Sequence, residues 1–192
     1  SGLAETLGDR IQQLDKTGNP TLAFLASGIE GIKVRITAKA EDEAAAVQIL
    51  GDEEAVLRRL LGDIVFGVDD ETIETVVLNS LRKKDMTVAV AETLIGGVMS
   101  SRLTSSDPEM TSFKGAIVFK GIENGVTGTD RALLAAKKAK ETYNSDVSVA
   151  AVEPCTSEGK PRGTVYLGVM IGDTSFVEEV GLPGDRNRLR NY

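Results

Sequence analysis

The chain contains no histidine, and this absence constrains its chemistry more than any other feature. Catalysis that pairs a serine or cysteine with histidine is excluded, and so is every zinc site that uses imidazole. The single cysteine, Cys155, excludes a CxxC metal or redox pair and any disulfide within the chain. We therefore expect no metal and no cofactor, and any general base must be a carboxylate, a lysine or a tyrosine.

The chain also lacks an excess of positive charge, a long apolar run and a signal-peptide pattern. Its net charge of −7 over 192 residues opposes binding to a nucleic-acid backbone, whose affinity comes largely from counterion release. No apolar run reaches the length of a membrane span, and Ser1 to Glu5 has neither the basic nor the apolar part of a leader. We expect a cytoplasmic protein without a membrane or nucleic-acid partner, in which a small nucleotide remains compatible with the charge.

The first third of the chain predicts a small α+β domain over residues 1–68. Apolar residues recur at helical spacing over 3–15, and residues 21–26 and 32–37 have the composition and alternation of strands. Two helical stretches follow, one over 41–49 and one ending at Leu61, and we expect Gly51-Asp52 to separate them. The boundary is placed in the glycine-containing, acidic segment Gly67 to Asp70.

The second domain, residues 69–192, alternates helical and extended patterns. The pattern predicts helices over 72–84, 97–104 and 130–143, and strands over 87–91, 114–119 and 147–152. Such alternation is typical of an α/β fold with a mainly parallel sheet. Gly172-Asp173 between two further strands indicates a hairpin, and the basic segment 184–190 looks like the start of a truncated helix.

The segment Thr87 to Gly97, T-V-A-V-A-E-T-L-I-G-G, is the candidate site because its strand ends in polar residues and a glycine pair. Ligands of open α/β sheets bind at the carboxyl ends of strands. Thr93 is either a nucleophile or the cap of the following helix. Glu92 either polarises a ligand amide or fixes the turn. Gly96 and Gly97 either admit a phosphate to the helix N-terminus or allow close packing.

Taken together, the segments resemble the competence- and damage-inducible CinA family. The resemblance is carried, in chain order, by Asn19 to Ala23, Arg35 to Ala40, Leu61 to Gly67, the segment 87–97, Gly163 to Gly168 and Gly184 to Arg186. It implies a KH-like domain over residues 1–68, a three-layer α/β/α C-terminal domain over 69–192, and a homodimer. The pyrophosphatase-like N-terminal domain that is common in full-length relatives is not in this sequence.

The resemblance implies a deamidase that hydrolyses nicotinamide mononucleotide to nicotinic acid mononucleotide and ammonia without a metal. In the family the serine of A-E-S-x-T-G-G is the nucleophile, helped by a Y-S-N-x-x-K segment and a T-G-I-A-G-P loop. Carried over to this chain, the ligand-binding positions are Glu92, Gly96, Gly97, Gly163, Thr164 and Arg186. Arg186 would hold the ligand phosphate, or would simply begin a solvated basic helix.

The sequence departs from the family pattern where the chemistry lies. Thr93 replaces the serine, Phe119-Lys120-Gly121 occupies the place of Y-S-N, and Asn124 is the nearest match to the lysine. The T-G-I-A-G-P loop is absent around Cys155, which is then an incidental thiol.

We therefore expect a non-catalytic unit for dimerisation or regulation. The alternative is an active deamidase with Thr93 as nucleophile and Lys120 as a relocated base. A third hypothesis is KH-like nucleic-acid binding through Gly28 to Gly31, which the charge of the chain disfavours.

Overall fold

A computed structural model describes residues 2–26, 30–93, 96–119 and 126–182. The chain divides into two compact units, Ser1–Asp70 (unit 1) and Glu71–Tyr192 (unit 2). Within the described residues, each helix is too short or too polar to cross a bilayer.

Unit 1 is a small α+β unit built on one hairpin. Its elements are α1 (Gly2–Thr6), α2 (Gly8–Thr17), β1 (Thr21–Ala26), β2 (Ile32–Thr37) and α3 (Glu43–Leu61). The two strands pair antiparallel, with Thr21 opposite Thr37 and Ala26 opposite Ile32. The buried leucine side chains among its described residues are Leu7, Leu14 and Leu57, so the core of this unit is small.

Helix α3 is continuous, and the predicted break at Gly51-Asp52 is wrong. Asp42 starts the helix by accepting the N–H of Ala45 at 2.8 Å. Asp52 accepts a hydrogen bond from Gln48 one turn earlier at 2.8 Å, and the buried Glu53 pairs with Arg10 of α2. A helix-interior glycine costs only about 1 kcal/mol, which this packing offsets.

Unit 2 contains a five-stranded sheet. Its elements are α4 (Ile73–Arg82), β3 (Val88–Glu92), α5 (Val98–Ser106), β4 (Phe113–Val118), α6 (Thr129–Tyr143), β5 (Val147–Val152), β6 (Thr164–Ile171) and β7 (Thr174–Gly181). The strand order is β4-β3-β5-β6-β7. Strand β3 is parallel to β4 and β5, while the hairpin β6-β7 adds two antiparallel pairs. The predicted α/β class is confirmed, with a mixed sheet.

The central strand β3 is buried on both faces because helices cover each side of the sheet. Val88 and Val90 pack with Leu78 of α4 and Leu103 of α5. Ala89 and Ala91 point the opposite way and pack with alanines of α6: Ala132, Ala135, Ala136 and Ala139. This alternation follows from the period of two in a strand and gives three layers. Small residues let α6 approach the sheet closely. Strand β3 ends at Glu92, on the edge of the sheet where the parallel strands have their carboxyl ends.

Candidate functional site

The candidate site lies where parallel strands β3 and β5 end and antiparallel β6 begins. Glu92 is the last residue of β3 and stands opposite Ala151 of β5. Strand β6 begins at Thr164 near this edge, because Val152 of β5 pairs with Tyr166. Glu92 and Thr93 lie at this edge because a parallel strand ends there, and Gly163 and Thr164 reach the same edge because β6 runs antiparallel to β5.

Glu92 binds the start of helix α5 through its carboxylate. The side chain is fully buried. Its Oε2 accepts the backbone N–H groups of Gly97 at 3.0 Å and Met99 at 3.1 Å, and its Oε1 accepts that of Ser100 at 2.8 Å. Free N–H groups and the helix dipole favour a negative charge at this position. The carboxylate of Glu92 thus serves as an internal anion for α5.

Thr93 does not cap α5, so that alternative from the sequence is wrong. Its Oγ1 accepts the backbone N–H of Glu153 at 2.9 Å, and its own N–H donates to Ala151 O at 3.1 Å. Both contacts extend the pairing of β3 with β5 by one residue beyond the strands. The capping role belongs to Glu92 because its longer side chain reaches back to the helix amides from the last strand position.

The glycine pair is required by backbone conformation. Gly96 and Gly97 have φ values of 58° and 97°, which disfavour residues with a Cβ. A Cβ on Gly97 would lie 3.7 Å from Ser100 Oγ and 3.8 Å from Val118 Cγ2, which are ordinary contacts. Close helix–strand packing therefore does not explain Gly97. A phosphate at this turn would have to compete with Glu92 for the same N–H groups.

Gly163 and Thr164 stabilise the turn that leads into β6. Gly163 has φ 92°, and its carbonyl accepts the N–H of Leu182 at 2.9 Å. Thr164 is buried and its hydroxyl donates to Pro161 O at 3.0 Å. Both residues lie at the candidate edge, and the contacts described for them are internal. Their binding of a ligand remains a prediction.

Several predicted positions lie outside the described residues. These are Lys120 and Arg186 of the candidate site, together with Gly28 and Asn124. Phe119 is described: it packs against the apolar cluster of β3 and α6, and its N–H donates to Glu92 O at 3.0 Å.

A buried polar cluster beside the edge was missed by sequence reasoning. Arg131, in the first turn of α6, is 4% exposed and donates from Nη1 to Cys155 Sγ. Glu158 lies 3.8 Å from the same Nη1 and accepts the N–H groups of Cys155 at 2.7 Å and Gly128 at 2.9 Å. The hydroxyl of Tyr166 donates to Glu158 at 2.6 Å. A basic residue in the first turn of a helix lies unfavourably beside the positive end of the helix dipole. The position of Arg131 was therefore the signal of this cluster that the sequence offered.

The electrostatics of this cluster favour a charged Glu158 and a neutral Tyr166. Burial by itself raises the pKa of Glu158, but hydrogen bonds from Tyr166 and from two backbone N–H groups outweigh it and lower the pKa. Burial, followed by the hydrogen bond to Glu158, raises the pKa of Tyr166 to about 12. Across residues 2–26, 30–93, 96–119 and 126–182, no group of three or more histidine, cysteine or acidic residues could hold a metal ion.

Comparison with known proteins identifies both parts of the chain. Residues 1–67 match the model for the damage-inducible protein CinA KH domain, and residues 122–192 match the model for the CinA C-terminal domain. A CinA-like protein of Frankia casuarinae is 37% identical over 210 residues, which cover 100% of this chain and 48% of that protein. A CinA-like protein of Dictyoglomus turgidum is 32% identical over 214 residues, covering 100% and 51%. The chain thus spans about half the length of these relatives.

Solved structures share the fold of about two thirds of the chain. A competence-damaged protein (CinA) superfamily protein from Escherichia coli aligns with a TM-score of 0.56 and 17% identity, covering 68% of this chain and 90% of that one. Another superfamily protein, from Enterobacter cloacae, gives a TM-score of 0.56 and 19% identity, covering 65% and 88%. At such identities the likeness concerns the fold alone.

Proposed function

Because the chain belongs to the CinA family, we propose that unit 2 keeps a deamidase-like fold but does not hydrolyse an amide, and that the chain works through self-association or regulation of a partner. The observation that carries this proposal is the environment of Thr93. Its Oγ1 accepts a hydrogen bond from the backbone N–H of Glu153 at 2.9 Å. A backbone N–H is a donor and cannot remove the proton of an attacking hydroxyl.

A hydroxyl nucleophile needs a base within about 2.6–3.2 Å. Among the described residues, Thr93 Oγ1 has no hydrogen bond with a lysine, tyrosine or carboxylate side chain. Phe119, near the family's tyrosine position, offers an aromatic ring without a hydroxyl and packs against apolar neighbours. These contacts support a structural role for Thr93 at the end of the sheet and not a role as a nucleophile.

The helix amides near Thr93 also have an acceptor already. Stabilisation of an oxyanion requires N–H donors aimed at the position where negative charge develops. The N–H groups of Gly97, Met99 and Ser100 donate to the Glu92 carboxylate. An oxyanion at this turn would have to displace a buried carboxylate from its three donors, which further supports a non-catalytic unit.

Self-association is supported by the small core and exposed apolar residues of unit 1. Phe24 and Leu25 of β1, Ile32 of β2, and Ile64 and Phe66 near the end of the unit are between 40% and 66% exposed. Units of about 70 residues bury a smaller share of their surface than larger domains do, and they commonly gain stability by oligomerisation. We propose a homodimer. A dimeric mass in light scattering at micromolar concentration is expected, and a monomeric mass would refute this part.

The alternative, an active deamidase that uses Thr93, is supported by the partial exposure of that residue at the candidate edge. Lys120 would be the base. Ammonia release from nicotinamide mononucleotide separates the two functions, with a serine-containing CinA protein as positive control. We expect ammonia to be released no faster with the protein than in buffer alone, whereas release at enzymatic rates would support the alternative. Binding of labelled RNA or DNA that weakens with salt would instead support the KH-like nucleic-acid hypothesis.

A further inference from the structure

Cys155 is the single thiol of the chain and contacts a buried cation. The residue is partly exposed and follows β5 at the candidate edge. The guanidinium of Arg131 donates from Nη1 to Cys155 Sγ. A cysteine alone indicates no site, so the argument depends on the state of the arginine.

Arg131 is a buried cation whose carboxylate partner is not at hydrogen-bond distance. Its side chain is 5% exposed, and Glu158 Oε1 lies 3.8 Å from Nη1. Within the described part of the chain, Arg131 Nε is buried and has no hydrogen-bond partner. Glu158 directs its oxygens to the N–H groups of Cys155 and Gly128 and to the hydroxyl of Tyr166. A buried guanidinium in this state stabilises additional negative charge beside it.

We propose that Cys155 is a modification site at which the thiol sulfur attacks small electrophiles, hydroperoxides in particular, because Arg131 stabilises the negative charge that develops on sulfur. In the reaction with a hydroperoxide, sulfur attacks the terminal peroxide oxygen, an S–O bond forms and the O–O bond breaks. The thiol proton goes to the departing oxygen, which leaves as an alcohol or as water. Sulfur is oxidised to a sulfenic acid and the peroxide is reduced.

Intact-mass spectrometry of the full chain gives an unambiguous test, since any adduct on a thiol must be on Cys155. The rate constant for carbamidomethylation by iodoacetamide is measured at one neutral pH for the protein and for a peptide of residues 150–162. Hydrogen peroxide with dimedone trapping is the second probe. We expect the folded protein to react about tenfold faster than the peptide with both probes, since the guanidinium stabilises the negative charge that develops on sulfur during the attack.

The variant Arg131→Met removes the cation and should slow both reactions about tenfold, while Arg131→Lys should keep a larger share of the rate. Lys160→Met is the matched control, because it removes a positive charge from the loop that carries Cys155, where Lys160 pairs with Glu179. The rate of this variant should stay within about twofold of that of the unmodified protein. Equal rates for Arg131→Met and the unmodified protein, or for the protein and the peptide, would overturn the proposal. If Arg131→Met does not fold, the comparison with the peptide decides.

Discussion

Glu92 Oε2 accepts the backbone N–H of Gly97 at 3.0 Å, which joins the end of β3 to the start of α5. The turn between a strand and a glycine-led helix is the usual place for a bound anion in α/β folds. Here the chain supplies that anion itself, from a fully buried side chain. The contact therefore stabilises the turn and occupies amides that a ligand phosphate or an oxyanion would need.

The variant Glu92→Gln should lower the free energy of unfolding by about 2 kcal/mol, because an amide keeps one acceptor oxygen and loses a charge-assisted bond to a helix N–H. Urea denaturation followed by circular dichroism measures the change. Glu178→Gln, on the exposed strand β7, is the matched control and should change stability by less than about 0.5 kcal/mol. Equal effects for the two variants would show that the contacts of Glu92 do not stabilise the fold.

Asp107 should make the stability of unit 2 depend on pH. Burial by itself raises its pKa, but the N–H groups of Phe113 and Ser112 and the hydroxyl of Thr111 outweigh burial and lower the pKa well below the ordinary 3.8. A lowered folded pKa contributes stability that is present above the unfolded value and is lost as the pH falls towards the folded one.

The variant Asp107→Asn tests this dependence. It should be less stable than the unmodified protein by about 2 kcal/mol near neutral pH, since an amide cannot accept from all of these donors. The difference should shrink as the pH falls below 3.8. Urea unfolding of both proteins across this range measures the difference. A difference that stays constant with pH would contradict the assignment.

Gly168 and Gly51 form a matched pair of glycines that should respond oppositely to alanine. A Cβ on Gly168 of β6 would lie 2.7 Å from the backbone carbonyl carbon and oxygen of Ala132 in α6. Gly168→Ala should therefore cost about 3 kcal/mol. Gly51 of α3 has nothing within 4 Å of a built Cβ, so Gly51→Ala should add about 0.5–1 kcal/mol. Thermal unfolding of the two variants checks the signs; a stabilised Gly168→Ala would contradict the close approach of α6.

The segment between the two units should be the first site of limited proteolysis. It has glycine and acidic residues from Gly67 to Asp70, and the units divide after Asp70. Backbone that is exposed and outside regular elements is cut preferentially. Brief digestion with a protease of broad specificity, followed by mass spectrometry, should give a first cut between Phe66 and Glu71. A first cut inside β3 or β4 would speak against the predicted boundary.

The sequence predicted elements with strong local patterns and missed contacts between distant residues. Strands β1, β2 and β5 were predicted at their observed bounds because their apolar alternation and flanking turns are local signals. The continuity of α3 was missed because Arg10, from another helix, compensates the interior glycine. For Glu92, the alternative that it fixes the turn agrees with its contacts to the start of α5. The capping alternative for Thr93 does not agree with its contact to Glu153, because only the fold decides which side chain reaches the helix amides. The contact of Arg131 with Cys155 spans 24 residues and has no local pattern.

The most direct test of the central proposal is formation of nicotinic acid mononucleotide from nicotinamide mononucleotide, measured side by side for the unmodified protein, Thr93→Ser and Thr93→Ala. Loss of an acid–base partner typically lowers a rate by about 10²–10⁴-fold. We therefore expect no product above the buffer rate from any of the three, because restoring a serine does not supply a base to activate it. Product formation at ordinary enzyme rates by the unmodified protein, abolished in Thr93→Ala, would contradict the account and establish an active deamidase.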